Sequence, residues 1–238
     1  MQKKGKLQFF LGVVALGCVW GFFEAVTFLG LLHSHWGTLF RYHLCPCFLM
    51  AAVLGSFVMG LALSIYKRPD MLVGIGLVAA AFCWFAVPFL PTPVRSTHYG
   101  PVVSSAMAAV LGSLSLALVT AFFKRRLERN VPTRIGVGTL SGIFASIIFI
   151  LVTAYGVDKP ICADLGYARP LPDFLGIGGM VWMVAQAIMF PLGYMVGEKL
   201  CVWLVPRMER KPSMNYAVLT SVIAFCFVGG AIAFMIGF

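Results

Sequence analysis

Seven long apolar runs constrain this chain more than any other feature of its sequence. An α-helix rises 1.5 Å per residue, so about 20 apolar residues cross the roughly 30 Å of a bilayer's hydrocarbon core. Backbone polar groups in lipid must be satisfied internally, which favours helices, and alternating ten-residue barrel strands do not fit runs of this length. The predicted spans are Leu7–Leu32, Leu44–Tyr66, Met71–Leu90, Val102–Phe123, Ile135–Val157, Phe174–Val196 and Met214–Phe238.

Composition supports the same fold class. Of the 238 residues, 61% are hydrophobic and 11% are charged, whereas soluble domains average about 45–50% and about 25%. The mean hydropathy is +0.95. We therefore predict an all-α, polytopic membrane helix bundle, a single integral membrane domain over residues 1–238, surrounded by the lipid bilayer of the cell membrane (the inner membrane, where a cell has two).

Lysine and arginine residues divide unequally between the two sets of predicted loops. Four cations fall on one side, at Arg41, Arg95, Lys159 and Arg169. Thirteen fall on the other, at Lys3, Lys4, Lys6, Lys67, Arg68, Lys124, Arg125, Arg126, Arg129, Arg134, Arg207, Arg210 and Lys211. Cytoplasmic loops carry the excess of such residues, so we predict a cytoplasmic N-terminus and, after seven crossings, an external C-terminus. The net charge of +10 is then a topological signal, and we expect no nucleic-acid partner.

The N-terminal lysines before an apolar run also resemble the start of a signal peptide. Hydrophobicity continues almost unbroken to Leu32, well beyond a typical 7–15-residue signal core. We therefore expect a first membrane span rather than a cleaved leader.

Metal-binding side chains gather on the predicted outer side. All four histidines lie there, together with two cysteines near the start of span two, and the set is His33, His35, His43, Cys45, Cys47 and His98. Imidazole and thiolate ligands suit cobalt, nickel, zinc or copper better than calcium or magnesium. His43, Cys45 and Cys47 alternate, so in an extended segment their side chains share one face. The sequence thus predicts external capture of a transition-metal ion.

Two other interpretations of these thiols stay open. Outside the cytoplasm, Cys162 could form a disulfide bond with Cys45 or Cys47 and join the first outer loop to the third. The thiols could equally be free. The spacing also lacks the two-residue gap that is usual in structural zinc sites.

Two polar residues lie within the predicted spans. Glu24 is the one acidic residue well inside a span, and a carboxylate there is costly to expose to lipid, so it should face the bundle interior. Gln186 in span six is the second buried polar group. We predict that both line a transport path, although a protonated, hydrogen-bonded Glu24 and a Gln186 that joins two helices are equally consistent with the sequence.

Small residues recur at helical spacing in two spans. Gly17 and Gly21 lie one turn apart in span one, and Gly193 and Gly197 lie at the end of span six. This spacing predicts close helix–helix packing.

Spans three, five and six carry short motifs that resemble a known family. They are Val87-Pro88-Phe89-Leu90-Pro91-Thr92-Pro93, Val157-Asp158-Lys159-Pro160, and the run from Gly178 and Gly179 through Gln186 to Gly193 and Gly197-Glu198. In order and layout, spans one to six resemble the A subunit of two-component cobalt transporters. The resemblance implies cobalt uptake linked to cobalamin synthesis. Span seven and the Cys45–Cys47 stretch depart from that family's pattern.

These features together predict a transport protein for a transition-metal cation, such as cobalt or nickel, or for a small cofactor-like solute. The sequence contains no nucleotide-binding, nucleophile-elbow, zinc-protease or CxxC motif, so we expect no enzymatic activity. A separate ATPase or a partner membrane subunit could then complete the system. The alternative is a membrane anchor or assembly subunit of a respiratory-type complex, in which Glu24 and the glycines would contact partner helices.

Overall fold

The computed structural model describes residues 2–33, 51–86, 92–128, 130–155, 179–210 and 212–236. These residues form seven α-helices and one π-helical turn, and no strand occurs among them. The helices are α1 (Gln2–His33), α2 (Ser56–Tyr66), α3 (Asp70–Ala86), α4 (Thr92–Leu127), α5 (Val131–Tyr155), α6 (Gly179–Arg210) and α7 (Pro212–Ile236), and the π-turn Ala51–Gly55 leads directly into α2.

Five of these helices are long and apolar enough to cross a membrane, which confirms a multi-pass membrane architecture. Their apolar segments are Leu7–Thr27, Ser105–Leu127, Val131–Phe149, Gly179–Trp203 and Ser213–Ala233. The other two apolar helices, Ala51–Tyr66 and Asp70–Phe85, are shorter. Predicted spans two and three also include residues 44–50 and 87–90, which lie outside the described ranges.

Two helices extend beyond the predicted spans. α4 begins at Thr92 rather than Val102, so the segment containing His98 is helical and not a loop. Pro93 lies in the first turn of α4, where a missing backbone N–H costs nothing. α6 continues to Arg210, well past the predicted end at Val196.

The bundle is held together both by helices that are consecutive in the chain and by helices that are distant in it. α3 packs against α4, α4 against α5, and α5 against α6, while α2 packs most extensively against α6. α1 packs against α3 on one side and α7 on the other. The π-turn before α2 contacts α1, α4 and α6, so it lies where the interior elements meet.

Glycines allow the closest of these contacts, as their spacing predicted. A side chain at Gly17 would meet Val78 and the carbonyl of Ile75 in α3, and one at Gly21 would meet Phe82. Gly193 of α6 lies directly against the carbonyl of Phe57 in α2. Both glycine pairs therefore pack helices within this chain.

Lys67 ends α2. Its φ of 54° is left-handed, and its backbone N–H donates to the carbonyl of Leu63 at 2.9 Å, an αL capping arrangement. Pro69 follows, and Asp70 lies in the first turn of α3, where a negative charge complements the helix dipole. Arg68 donates hydrogen bonds to this carboxylate, which lowers the pKa of Asp70 and raises that of Arg68.

Candidate intramembrane polar site

Glu24 lies inside the bundle rather than toward lipid. Its residue is 1% exposed, and the Ser105 hydroxyl of α4 donates a hydrogen bond to its Oε1 atom. Ser105 is itself buried. The prediction that this carboxyl group faces the interior is confirmed, and α1 and α4 are joined through it.

Three further polar atoms surround this contact. The Cys83 Sγ atom of α3 lies 3.9 Å from Ser105 Oγ. The indole of Trp20, one turn before Glu24 on α1, lies near the carboxyl group. Yet neither Trp20 Nε1 nor Glu24 Oε2 has a hydrogen-bond partner of normal geometry in the described part of the chain, and both atoms are buried. α1, α3 and α4 thus enclose a small polar cluster that is only partly satisfied, consisting of Trp20, Glu24, Cys83 and Ser105.

Gln186 is the second buried polar group, and it also faces the interior. Its residue is 1% exposed, and its Oε1 atom accepts a hydrogen bond of 2.8 Å from the Ser141 hydroxyl of α5. Its Nε2 atom lies beside Gly112 of α4. Gln186 therefore joins α5 and α6, which is the helix-joining role that the sequence left open.

Glu24 and Gln186 have different partners but face the same helix. Their neighbours on α4, Ser105 and Gly112, are seven residues apart, which is two turns or about 10 Å along the axis. The two side chains consequently lie at different depths along α4. No direct hydrogen bond joins them among the contacts of the described residues.

Most of the predicted metal-capture residues lie outside the described part of the chain. His35, His43, Cys45 and Cys47 belong to this group, as does Cys162. His33 and His98 lie in the helices α1 and α4, but their side chains are outside the description as well. Among the described residues, no three His, Cys, Asp or Glu side chains lie close enough to hold one metal ion.

The structure contains a second polar cluster, which the sequence did not predict. It lies at the other end of the bundle from Ser105, the residue of α4 that bonds Glu24. Arg134, buried in the first turn of α5, is paired with Glu198 of α6 and stacks on the Tyr194 ring at 4.1 Å from its centroid. Lys67 donates to the Tyr194 hydroxyl at 3.0 Å. We call the part of the bundle defined by Lys67, Lys124, Arg134, Tyr194 and Glu198 the cationic end.

The cationic end shows which loops share a side. Lys67, directly after α2, and Arg134, in the first turn of α5, both contact Tyr194 of α6. The sequence signal for the ion pair was an acidic residue, Glu198, at the end of an apolar run, on the same predicted side as the arginine-rich loop between spans four and five. That signal does not name which arginine is the partner.

An apolar groove lies between α1 and α7. It has a volume of about 440 Å³ and is lined by residues that include Val19, Phe22, Phe23, Val218 and Phe225. Most of α7 is exposed, and its main neighbour is α1. In a bilayer this surface faces hydrocarbon.

Comparisons with known proteins identify no relative: no family model, no curated protein and no solved structure matches this chain.

Proposed function

We propose that this chain is a multi-pass transport protein of the cell membrane, carrying a transition-metal cation or a small cofactor-like solute. The supporting observation is the burial of Glu24 among α1, α3 and α4, with one carboxyl oxygen that has no hydrogen-bond partner among the described residues. Ionisable groups kept inside a membrane bundle characteristically mark ion or proton pathways. The proposed topology has seven crossings, with the cationic end in the cytoplasm and the C-terminus outside.

In this proposal the external donors His33, His35, His43, Cys45, Cys47 and His98 capture the cargo. Cobalt and nickel are the first candidates because of the resemblance to cobalt transporter A subunits, with zinc and copper next. Glu24 and Gln186 belong to the interior route. A separate ATPase remains an alternative source of energy.

The alternative of an anchor or assembly subunit loses the contacts that favoured it. That interpretation assigned Glu24 and the glycines to partner helices, but Glu24 contacts Ser105, and the glycines pack against α2 and α3 of the same chain. Stable co-purification with large subunits, combined with unchanged cellular metal content after deletion, would restore it.

Metal content provides the direct test. Cells that express the chain should accumulate cobalt or nickel above the level of cells with an empty vector, measured by elemental analysis. Glu24→Gln should lower that excess at least tenfold. The control is Ser115→Ala, because Ser115 is buried on α4 without a hydrogen-bond partner, so its hydroxyl is dispensable. No accumulation above the vector for cobalt, nickel, zinc or copper would reject metal uptake.

The capture site has a separate test. Purified protein should retain the metal that the cells accumulate, and alanine at the six outer donors should abolish retention. Cys201→Ser alters a thiol of α6 that is not one of the six outer donors, so this variant should retain the metal as the wild type does. Retained metal that ignores the six outer substitutions would reject capture by those residues.

Topology can be tested with reporters. A fluorescent protein fused after Lys67 or Arg126 should fluoresce in the cytoplasm, while alkaline phosphatase fused to the C-terminus should be active outside. The reverse pattern would contradict the proposed orientation.

A further inference from the structure

The charges around Glu24 are distributed unusually for a buried acid. Within the described ranges, the two ion pairs are Arg68 with Asp70 and Arg134 with Glu198. Neither involves Glu24, and no lysine or arginine whose side chain is described pairs with it. An ionised carboxylate that is buried without a cation is far less stable than the neutral acid.

The hydrogen bonds around Glu24 agree with this. A carboxylate presents about four lone-pair sites, and here Ser105 satisfies a single one, on Oε1. Oε2 is buried and, among the described residues, has no donor in normal hydrogen-bonding geometry, although the Trp20 indole lies near the carboxyl group. A proton on Oε2 removes the charge and leaves Oε1 as the carbonyl oxygen that accepts from Ser105.

The same neighbours are poor metal ligands. Among the described side chains around Glu24, the one other with metal-binding chemistry is Cys83, whose Sγ lies 3.9 Å from Ser105 Oγ. Trp20 offers an N–H donor and no acceptor. Since no described group of three ligands exists, the described side chains offer a transition metal too few donors at this site.

Among the described side chains, the titratable group that lies beside Glu24 and Ser105 is the Cys83 thiol. Cys83 comes from α3, and Cys18 of α1 and Cys226 of α7 belong to the same apolar cluster. α4 presents Ser105, which does not titrate, and Gly55 at the end of the π-turn lies against the Trp20 ring. Protonated thiols carry no counter-charge, so the proton is the cation that can neutralise Glu24.

We propose that Glu24 is a reversible proton-binding site and that proton movement through it energises the transport. The proton is held on Oε2, while Oε1 accepts the hydrogen bond from Ser105. The coupling half of this proposal rests on the proposed transport function. The proton-binding half stands on the local geometry alone. Binding and release convert the carboxylic acid to a carboxylate and one proton, so no other reactant is needed.

Infrared spectroscopy of the purified protein in phosphatidylcholine vesicles tests the protonation. At neutral pH the wild type should show a carbonyl band of a protonated carboxyl group, and Glu24→Gln should lack it. Ser105→Ala should move the band to higher frequency, because the carbonyl loses its hydrogen bond. Ser115→Ala should leave the band in place. If Glu24→Gln fails to fold, the Ser105→Ala shift still identifies the residue.

Hydrogen–deuterium exchange distinguishes a reversible proton-binding site from a carboxyl group that stays protonated as a purely structural feature. After transfer to D₂O, the band should shift within the time of the measurement, and it should diminish as the pH is raised. An ionised Glu24 at neutral pH, or a neutral acid that neither exchanges nor responds to pH, would overturn the proposal.

Coupling is tested with a pH-sensitive dye inside the same vesicles. Addition of cobalt or nickel should move protons in the wild type and in Ser115→Ala, and proton movement should fall at least tenfold in Glu24→Gln. Cargo movement that continues in Glu24→Gln without protons would reject coupling while leaving transport intact. An exchanging carboxyl band in a wild type that moves no cargo would reject transport while leaving the proton site intact.

Discussion

Arg134 donates two hydrogen bonds to Glu198, from Nη2 to Oε1 at 2.7 Å and from Nη1 to Oε2 at 2.9 Å, and so joins the first turn of α5 to α6. The Arg134 side chain is 6% exposed, whereas that of Glu198 is 40% exposed. Arg134 Nε also donates to the carbonyl of Leu127 at 2.8 Å, near the end of α4. One guanidinium group therefore connects three helices.

Loss of the exposed partner should be costly because it leaves the buried one without a counter-charge. We expect Glu198→Gln to lower the free energy of unfolding by about 2 kcal/mol or more, measured by denaturation in detergent micelles. Lys199→Ala, an exposed neighbour on α6, is the control and should stay within about 0.5 kcal/mol of the wild type. Equal stability of Glu198→Gln and the control would show that the pair contributes nothing.

Close packing of α2 on α6 gives a second prediction. A Cβ atom at Gly60 would collide with the carbonyl of Phe190, so Gly60→Ala should destabilise the protein by about 1–3 kcal/mol. Gly136→Ala is the matched control, because nothing lies within 4 Å of its Cβ position in α5. There alanine should be neutral or stabilise by up to about 1 kcal/mol through helix propensity. Thermal unfolding of both variants provides the comparison, and similar midpoints would contradict the packing of α2 on α6.

The position of α7 can be tested with native cysteines. Cys18 of α1 and Cys226 of α7 lie in one apolar cluster, so a short, membrane-permeant bifunctional maleimide should link them. Peptide mass spectrometry would identify the linked pair in a variant with the other cysteines replaced by alanine. Retaining Cys201 in place of Cys226 gives the control, which should yield no link to Cys18. Failure of Cys18 to link to Cys226 would show that α7 packs elsewhere.

The turn between α2 and α3 has a predictable pH dependence. Arg68 lowers the pKa of Asp70 in the folded protein, so the pair stabilises the fold above the unfolded pKa of about 3.9. That contribution is lost as the pH falls through the lower, folded pKa. We expect Asp70→Asn to be slightly less stable than the wild type at pH 7, and the difference should vanish on acidification. The effect is small because both side chains are exposed. A difference that grows toward low pH would contradict it.

Periodicity and burial cost were sufficient to predict part of the candidate site. Glu24 could be placed in the interior from sequence alone, because hydrocarbon has no water to solvate a carboxylate. Ser105 could not be named as its partner, since serine is common in membrane helices and its helix, α4, is distant in sequence. The sequence also does not show that Gln186 accepts a hydrogen bond from Ser141 rather than contacting Glu24.

The glycine spacings likewise predicted that a close contact exists but not which helix is the partner. Gly193 and Gly197 predicted a close helix contact, and the contact exists. That α2 is the neighbour is decided by the bundle, in which two glycines, Gly60 and Gly193, bring α2 and α6 together from both sides.

The sequence by itself determined that the chain lies in a lipid bilayer, that it is helical and that Glu24 lies in the interior. These properties follow from transfer free energies that act on each residue separately. Tertiary structure alone decided that Ser105 bonds Glu24 and that Arg134 rather than its neighbours meets Glu198. Those outcomes depend on which helices become neighbours, and apolar side chains of similar size leave that choice to the packing of the whole bundle.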